Sequence, residues 1–276
     1  MAVNEAALIR IREKRFYLLV ALIFPIVVLA GFGRTYYLKE FFDVPPLSSI
    51  LVHIHGGVMT AWVVLFIAQV YLVRSKNIKI HQKLGYAGIA LGVLIVGVGF
   101  FTAIAAAKNG PMTAVPGIDR MSFMAVPMFD LVMFIILFGA AIYYRKRAAN
   151  HKRLMLLTAI NFMPPAIARF PIPGWLALGP IVFFGIPTLI LIFAVTYDRL
   201  QNGKFNNVLV YGSLLLIASY PLRMAISGTD AWLAFANWVV QFSLVYASAS
   251  SVARRARSRA SASGIRTESA AASAAG

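Results

Sequence analysis

The chain has no cysteine and very few acidic residues. Without cysteine it forms no disulfide, no thiolate zinc site and no thiol nucleophile, so histidine and the carboxylates are the side chains that bind metals readily. Asp and Glu account for only 9 of the 276 residues, against 26 Lys and Arg. Charged residues make up 13% of the chain, where soluble domains carry about 25%. With 60% hydrophobic residues, this composition excludes an ordinary soluble domain and predicts an integral membrane protein.

Long apolar runs predict an all-α fold, a single bundle of eight membrane-spanning helices. A span needs about 20 mostly apolar residues, and such runs lie at 16–34, 49–73, 83–106, 121–144, 153–170, 174–197, 206–225 and 231–250. We therefore expect a short segment over 1–15, a helical domain over 16–250 with a four-helix core over 49–170, and a tail over 251–276. The tail is basic and then rich in Ser and Ala, which is typical of disorder. Pro164 and Pro165 should kink or break the fifth span.

The distribution of positive charge predicts the orientation in the membrane. Lys and Arg number four before Phe16, four from Arg74 to Lys83, five from Arg145 to Arg153, two at Arg199 and Lys204 and five after residue 250, which is twenty of the 26. All twenty fall on one side if the N-terminus is inside, and basic loops stay in the cytoplasm. We expect a bacterial inner-membrane protein with both termini cytoplasmic and the lipid bilayer as partner. Short basic clusters without a basic stripe argue against nucleic acid.

Two histidines begin predicted spans from the inner side with similar tetrapeptides. His81 starts His-Gln-Lys-Leu and His151 starts His-Lys-Arg-Leu, within a weak repeat that relates Leu65–Leu84 to Leu137–Leu154. Two histidines from different helices at one depth suit the axial positions of a haem b iron. The alternative is that both are polar caps at the membrane interface.

A glycine face lies below His81. Gly85, Gly88 and Gly92 follow at helical spacing, so all three share a face with the histidine. Such a face leaves room for a flat porphyrin, and it equally permits close packing of two helices. The sequence leaves both interpretations open.

The other two histidines, His53 and His55, begin the second span from the outer side. A spacing of two residues places them on roughly opposite faces of a helix, so they do not bind one ion together. They are candidate cofactor ligands or interfacial polar residues. Met124 and Met128 share a face of the fourth span and are candidate partners, although methionine in so apolar a chain also serves packing.

Ionisable and amide groups inside the spans are further candidates. Asp130 lies about 15 Å into the fourth span by helix rise, where a carboxylate must be protonated, paired or hydrated. It suits a proton relay or a structural pair with Arg169, Asn161 or Gln69. Three arginines end spans on the outer side and suit either anion or quinone binding or extension to the interface: Arg34, Arg169 and Arg223.

The stretch from His53 to Gly99 resembles a known family. It reads HIHGGVMTAWVVLFIAQVYLVRSKNIKIHQKLGYAGIALGVLIVGVG and is similar to the helix pair that opens the core of the ascorbate-reducible cytochrome b family of transmembrane ferric reductases. It also resembles uncharacterised bacterial membrane protein families that share an outer histidine, a later glutamine and a His-x-x-Leu-Gly start of the next helix. The resemblance covers about residues 50–170.

This resemblance implies a haem clamped by His81 and His151. The fourth span has no histidine, so His53 lacks the partner that the family would provide for a second haem. The implied function is one-electron transfer by a membrane oxidoreductase, with a quinone or another membrane subunit as partner. Two alternatives remain open: a small-solute or proton-coupled transporter, and an accessory subunit of a membrane complex.

Overall fold

The structure is a computed structural model that describes residues 5–44, 47, 49–109 and 118–242. These residues form helices and short connections, with no strand among them, which confirms the all-α prediction. In chain order the helices are α1 (Glu5–Phe32), α2 (Ile50–Arg74), α3 (Ile78–Asn109), α4 (Arg120–Phe123), α5 (Ala125–Tyr143), α6 (Ala148–Asn161), α7 (Pro164–Ile167), α8 (Pro180–Asn202) and α9 (Asn207–Ser227). Residues 230–242 form a further helical stretch, α10.

Six helices in the described part of the chain are long and apolar enough to cross a membrane. They are Leu18–Tyr37, Ile50–Arg74, Ile78–Lys108, Arg120–Lys146, Pro180–Asn202 and Asn207–Ser227. Six is fewer than the predicted eight. The eighth predicted span, 231–250, extends beyond the described residues, as does the tail over 251–276.

The fifth predicted span, 153–170, is not one helix in the structure. Helix α6 has 14 residues, which is about 21 Å by helix rise and shorter than a bilayer core of about 30 Å. It ends at Asn161, and the turn α7 starts at Pro164. The two prolines cause this break because neither can donate a backbone N–H to a helix that arrives from the preceding residues.

Three connections meet at one end of the bundle, which we call the basic side. They join α2 to α3, α5 to α6 and α8 to α9. The start of α3 lies beside the start of α6, where the His81 and His151 rings are neighbours. The start of α6 lies beside the start of α9, where Asn206 Nδ2 donates to Asn150 Oδ1 at 3.2 Å. The predicted inner loops with their basic residues therefore share one end of the molecule.

Helix α6 lies at the centre of the bundle. Its buried positions from Arg153 to Asn161 include residues on every side of the helix, because it packs against α1, α5, α8 and α9. Helix α9 contributes a buried stripe at helical spacing: Leu209, Gly212, Ser213, Leu216, Ser219, Tyr220, Arg223 and Ser227. The polar members of this stripe face protein instead of lipid.

Helices α2 and α3 form a hairpin on one flank of the bundle. Trp62 of α2 packs edge-on against Phe134 and Phe138 of α5, with ring centroids 5.3 Å from each. The two phenylalanine rings stack on each other at 5.1 Å. This aromatic cluster and the packing of α3 along α5 hold the hairpin against the rest of the bundle, and the start of α3 lies beside the start of α6.

Candidate functional site

The structure brings His81 and His151 together at the basic side. Their ring centroids are 6.3 Å apart and the rings are nearly perpendicular, at 79°. Both side chains are half-buried. The two residues come from the first turns of α3 and α6, as expected for histidines of equal depth on neighbouring helices.

One hydrogen bond determines which nitrogen of the His151 ring carries the proton. Its Nδ1 lies 2.8 Å from the carbonyl oxygen of Ala141. Because a carbonyl oxygen only accepts, we assign the proton to Nδ1, which leaves Nε2 as the nitrogen with a free electron pair. Metal-binding histidines are commonly oriented by such a bond from the second ring nitrogen. In His81, Nδ1 is buried and has no hydrogen-bond partner.

The spacing of the pair fits one metal centre between two imidazoles. A metal ion lies about 2.0–2.1 Å from an imidazole nitrogen, so two ligating nitrogens are roughly 4 Å apart. A centroid separation of 6.3 Å matches this distance if the two ligating nitrogens face each other. Among the described residues no three His, Asp or Glu side chains come together as a metal site. The pair therefore offers two imidazole donors from two helices.

The glycine face below His81 is used for helix packing. A Cβ on Gly92 would lie 2.5 Å from Phe138 Cε1, and one on Gly88 would lie 3.3 Å from Leu65 Cδ2. Those side chains occupy the groove, so the close-packing interpretation holds at these two positions. Gly85 is more open, with Gln69 Nε2 at 3.8 Å from its would-be Cβ. Gln69 therefore lies next to the histidine turn, and its buried Oε1 has no partner.

The outer histidines do not converge with each other or with the methionines. His53 is exposed, with its ring 6.3 Å from that of Tyr36, and His55 is half-buried. Met124 and Met128 are buried in a separate apolar cluster with Trp232 and Ala236. The methionines are packing residues in this arrangement.

Two of the three predicted outer arginines lie at the surface. Arg34 is exposed, with its guanidinium 5.0 Å from the centre of the Phe42 ring. Arg169 is placed 4.9 Å over the Phe32 ring and donates to the Pro165 carbonyl at 2.7 Å. Both therefore pack on aromatic faces at the end of the bundle opposite the basic side.

Arg223 is different, because it is completely buried and pairs with Asp130. Its Nη1 lies 2.5 Å from Asp130 Oδ1, and its side chain is 0% exposed. It also donates to the carbonyl oxygen and to the Oγ of Ser219, at 3.2 and 3.0 Å. Of the two interpretations of Arg223, this burial excludes the one in which the side chain extends to the interface. Asp130 has a charged partner, but this partner is not Arg169.

Asn161 also reaches Asp130, through the backbone. Its Nδ2 donates to the Asp130 carbonyl oxygen at 2.9 Å, whereas its Oδ1 is buried and has no partner. The predicted contact between these residues is therefore present, although the amide does not bind the carboxylate.

The structure contains a second buried ion pair that the sequence did not predict, between Arg153 and Asp198. Arg153 Nε and Nη2 approach Asp198 Oδ1 at 3.0 and 2.5 Å, and each side chain is 4% exposed. Both residues lie near the predicted inner ends of spans, where charged side chains usually reach water. One feature of the sequence could have predicted this pair. Asp198 is an acidic residue at the inner end of an apolar run, on the same predicted side of the membrane as the basic loops.

Comparison with family models, with curated proteins and with solved structures finds no match to this chain. The fold and the apolar helices define its class as a polytopic α-helical membrane protein.

Proposed function

We propose that the chain is an electron-transfer protein of the bacterial inner membrane that binds one b-type haem through His81 and His151. The observation that supports this is the pair of imidazoles from two helices, 6.3 Å apart, without a third ligand nearby among the described residues. A bare structural zinc ion takes four ligands, whereas haem iron takes two from the protein.

The residues around the pair have distinct roles in this proposal. The Ala141 carbonyl orients His151 and leaves its Nε2 available, and His81 supplies the second imidazole. The basic loops at the same end suit the anionic propionates of a haem. When bound, the haem iron supplies a one-electron redox centre whose potential depends on its axial ligands and burial. We assign both termini to the cytoplasm and a quinone or a second membrane subunit as redox partner.

Optical spectroscopy tests the proposal directly. The protein is purified in mild detergent from haem-replete cells, and spectra are recorded before and after dithionite reduction. We expect a Soret band and sharp reduced α bands in the wild type, and their loss in His81→Ala and His151→Ala. His53→Ala and His55→Ala are the matched controls, because they remove the other two histidines and should keep the bands.

Two results would contradict the proposal. One is a folded wild type without visible absorption, which would favour a transporter or an accessory subunit. The other is a spectrum that survives loss of both His81 and His151, which would place the haem elsewhere.

A further inference from the structure

The two buried ion pairs lie towards opposite ends of the same four helices. Arg153 and Asp198 join α6 to α8 near the basic side. Asp130 and Arg223 join α5 to α9 in the other half. The distance between the two levels is about 12 Å along α6, from Arg153 to Asn161 by helix rise. Each pair connects the α5–α6 hairpin to the α8–α9 hairpin, so the interface of the two hairpins is closed by one ion pair at each level.

Buried polar atoms without partners lie between and beside the pairs. They are Asn161 Oδ1, Ser213 Oγ, Tyr220 Oη and Asp198 Oδ2, on residues that are 0%, 2%, 3% and 4% exposed. Buried polar atoms are nearly always hydrogen-bonded, and an exception indicates water, an ion or a functional role. Ser213 and Tyr220 belong to the same buried stripe of α9 as Arg223. The stripe therefore places them in a row along the hairpin interface.

Each arginine keeps a partner in its own helix when its carboxylate is neutralised. Arg153 Nη1 donates to the Ala149 carbonyl at 2.7 Å, and Arg223 Nε donates to the Ser219 carbonyl at 3.2 Å. Both acceptors lie four residues earlier in the helix. Arg223 is also 5.3 and 5.2 Å from the ring centres of Phe184 and Tyr220, which are favourable for a cation. When a proton occupies either aspartate, the guanidinium therefore keeps a hydrogen-bond acceptor in its own helix, while its charge loses the counter-ion.

We infer that the interface between these hairpins is a proton pathway, closed at each end by an arginine–aspartate pair. A proton that binds Asp198 or Asp130 neutralises the carboxylate, releases it from its arginine and opens that end to water. The Asn161 amide oxygen then accepts a hydrogen bond from this water and holds it in place, and the water and the Ser213 and Tyr220 hydroxyls, which both accept and donate, relay the proton to the other aspartate. The described charged or titratable groups at these sites are Arg223 and Tyr220 beside Asp130, and Arg153 beside Asp198. This inference does not depend on the histidine pair.

Proton flux into liposomes tests the pathway. The full-length protein is reconstituted with a trapped pH dye, and flux is driven by a potassium gradient with valinomycin. We expect wild-type flux above that of protein-free liposomes, and its loss in Asp130→Asn and in Asp198→Asn. Asp230→Asn is the matched control, because Asp230 is exposed and lies outside the interface. Wild-type flux equal to that of empty liposomes, or full flux in both interface variants, would overturn the inference.

If the aspartate variants do not fold, a second measurement tests whether water reaches the hairpin interface. The chain has no cysteine, so single cysteines report accessibility without background. Ser213→Cys should react with a small charged thiol reagent added in water, whereas Leu216→Cys, on the same stripe and 0% exposed, should not. Equal lack of reaction in the two variants would show that the interface is dry, and the pathway would be rejected.

Discussion

The α2–α3 hairpin and the bundle of α5, α6, α8 and α9 differ in how they bury their residues. Of the most apolar 18 residues in each span, 17% and 28% are buried in α2 and α3, against 44%, 33% and 39% in the spans of α5, α8 and α9. The hairpin carries three of the four histidines, and the bundle carries both buried ion pairs. The histidines that we propose as haem ligands lie at a half-open edge, whereas the charges inside the bundle are paired with each other.

The largest expected effect of a substitution is in the bundle. Arg223→Ala leaves Asp130 buried without its charged partner, and breaking a buried pair in this way costs about 3–5 kcal/mol. The unfolding temperature in detergent, followed by circular dichroism, should fall strongly.

The control removes both charges together. Asp130→Leu combined with Arg223→Met keeps the volume roughly and leaves no unpaired charge, so it should be more stable than Arg223→Ala alone. If Arg223→Ala unfolds at the wild-type temperature, the pair does not stabilise the bundle.

A smaller effect is expected in the hairpin. Gly92→Ala places a methyl group 2.5 Å from the Phe138 ring, which is itself stacked on Phe134. Such overpacking costs about 1–3 kcal/mol. Gly97→Ala is the matched control, because nothing lies within 4 Å of its would-be Cβ and both changes gain the same helix propensity. Equal unfolding temperatures of the two variants would show that α3 does not pack on α5 as described.

The spans were the more predictable part of the molecule, since a long apolar run is a local signal. The predicted 49–73 lies within one residue of Ile50–Arg74 at each end. The partner of Asp130 was not predictable, because Arg223 is 93 residues away and pairing depends on how α9 is rotated against α5. Helix α9 continues to Ser227, so Arg223 lies about half a turn deeper than a span ending at 225 would place it.

The glycine face of α3 is a second case in which the sequence could not show a contact with another helix. Helical spacing correctly groups Gly85, Gly88 and Gly92, but the same pattern serves a cofactor groove and a packing face. At Gly92 the Phe138 side chain fills the space, so the face serves packing there, and Phe138 belongs to another helix. Equal depth predicts that His81 and His151 approach each other, whereas the packing of α3 on α5 that accompanies this approach has no local signal in the sequence.

A weaker effect on stability, which depends on pH, is expected at the start of α4. Asp119 caps this helix: its Oδ1 accepts from the backbone N–H groups of Met121 and Ser122 at 2.9 and 3.0 Å. The hydrogen bond from the Ser122 hydroxyl, followed by those from the backbone, lowers the pKa of Asp119 below its usual 3.8. The cap therefore adds stability above the usual pKa and loses it as pH falls through the lowered value.

Asp119→Asn isolates this titration, because asparagine also caps a helix but does not ionise. Unfolding temperatures measured from pH 7 to pH 3 should fall more steeply for the wild type than for Asp119→Asn at the acidic end. Parallel curves for the two proteins would mean that the ionised Asp119 adds nothing to stability.

The smallest expected change in stability is at the histidine pair. His81 is half-buried and its Nδ1 makes no hydrogen bond, so His81→Ala should alter the free energy of unfolding of the haem-free protein by no more than about 0.5 kcal/mol. Thermal unfolding of haem-free wild type and variant measures this directly. A large loss would make His81 part of what holds the hairpin to the bundle. A negligible loss of stability would support ligand binding as the role of His81. Arg223 differs in this respect, because its removal should destabilise the fold.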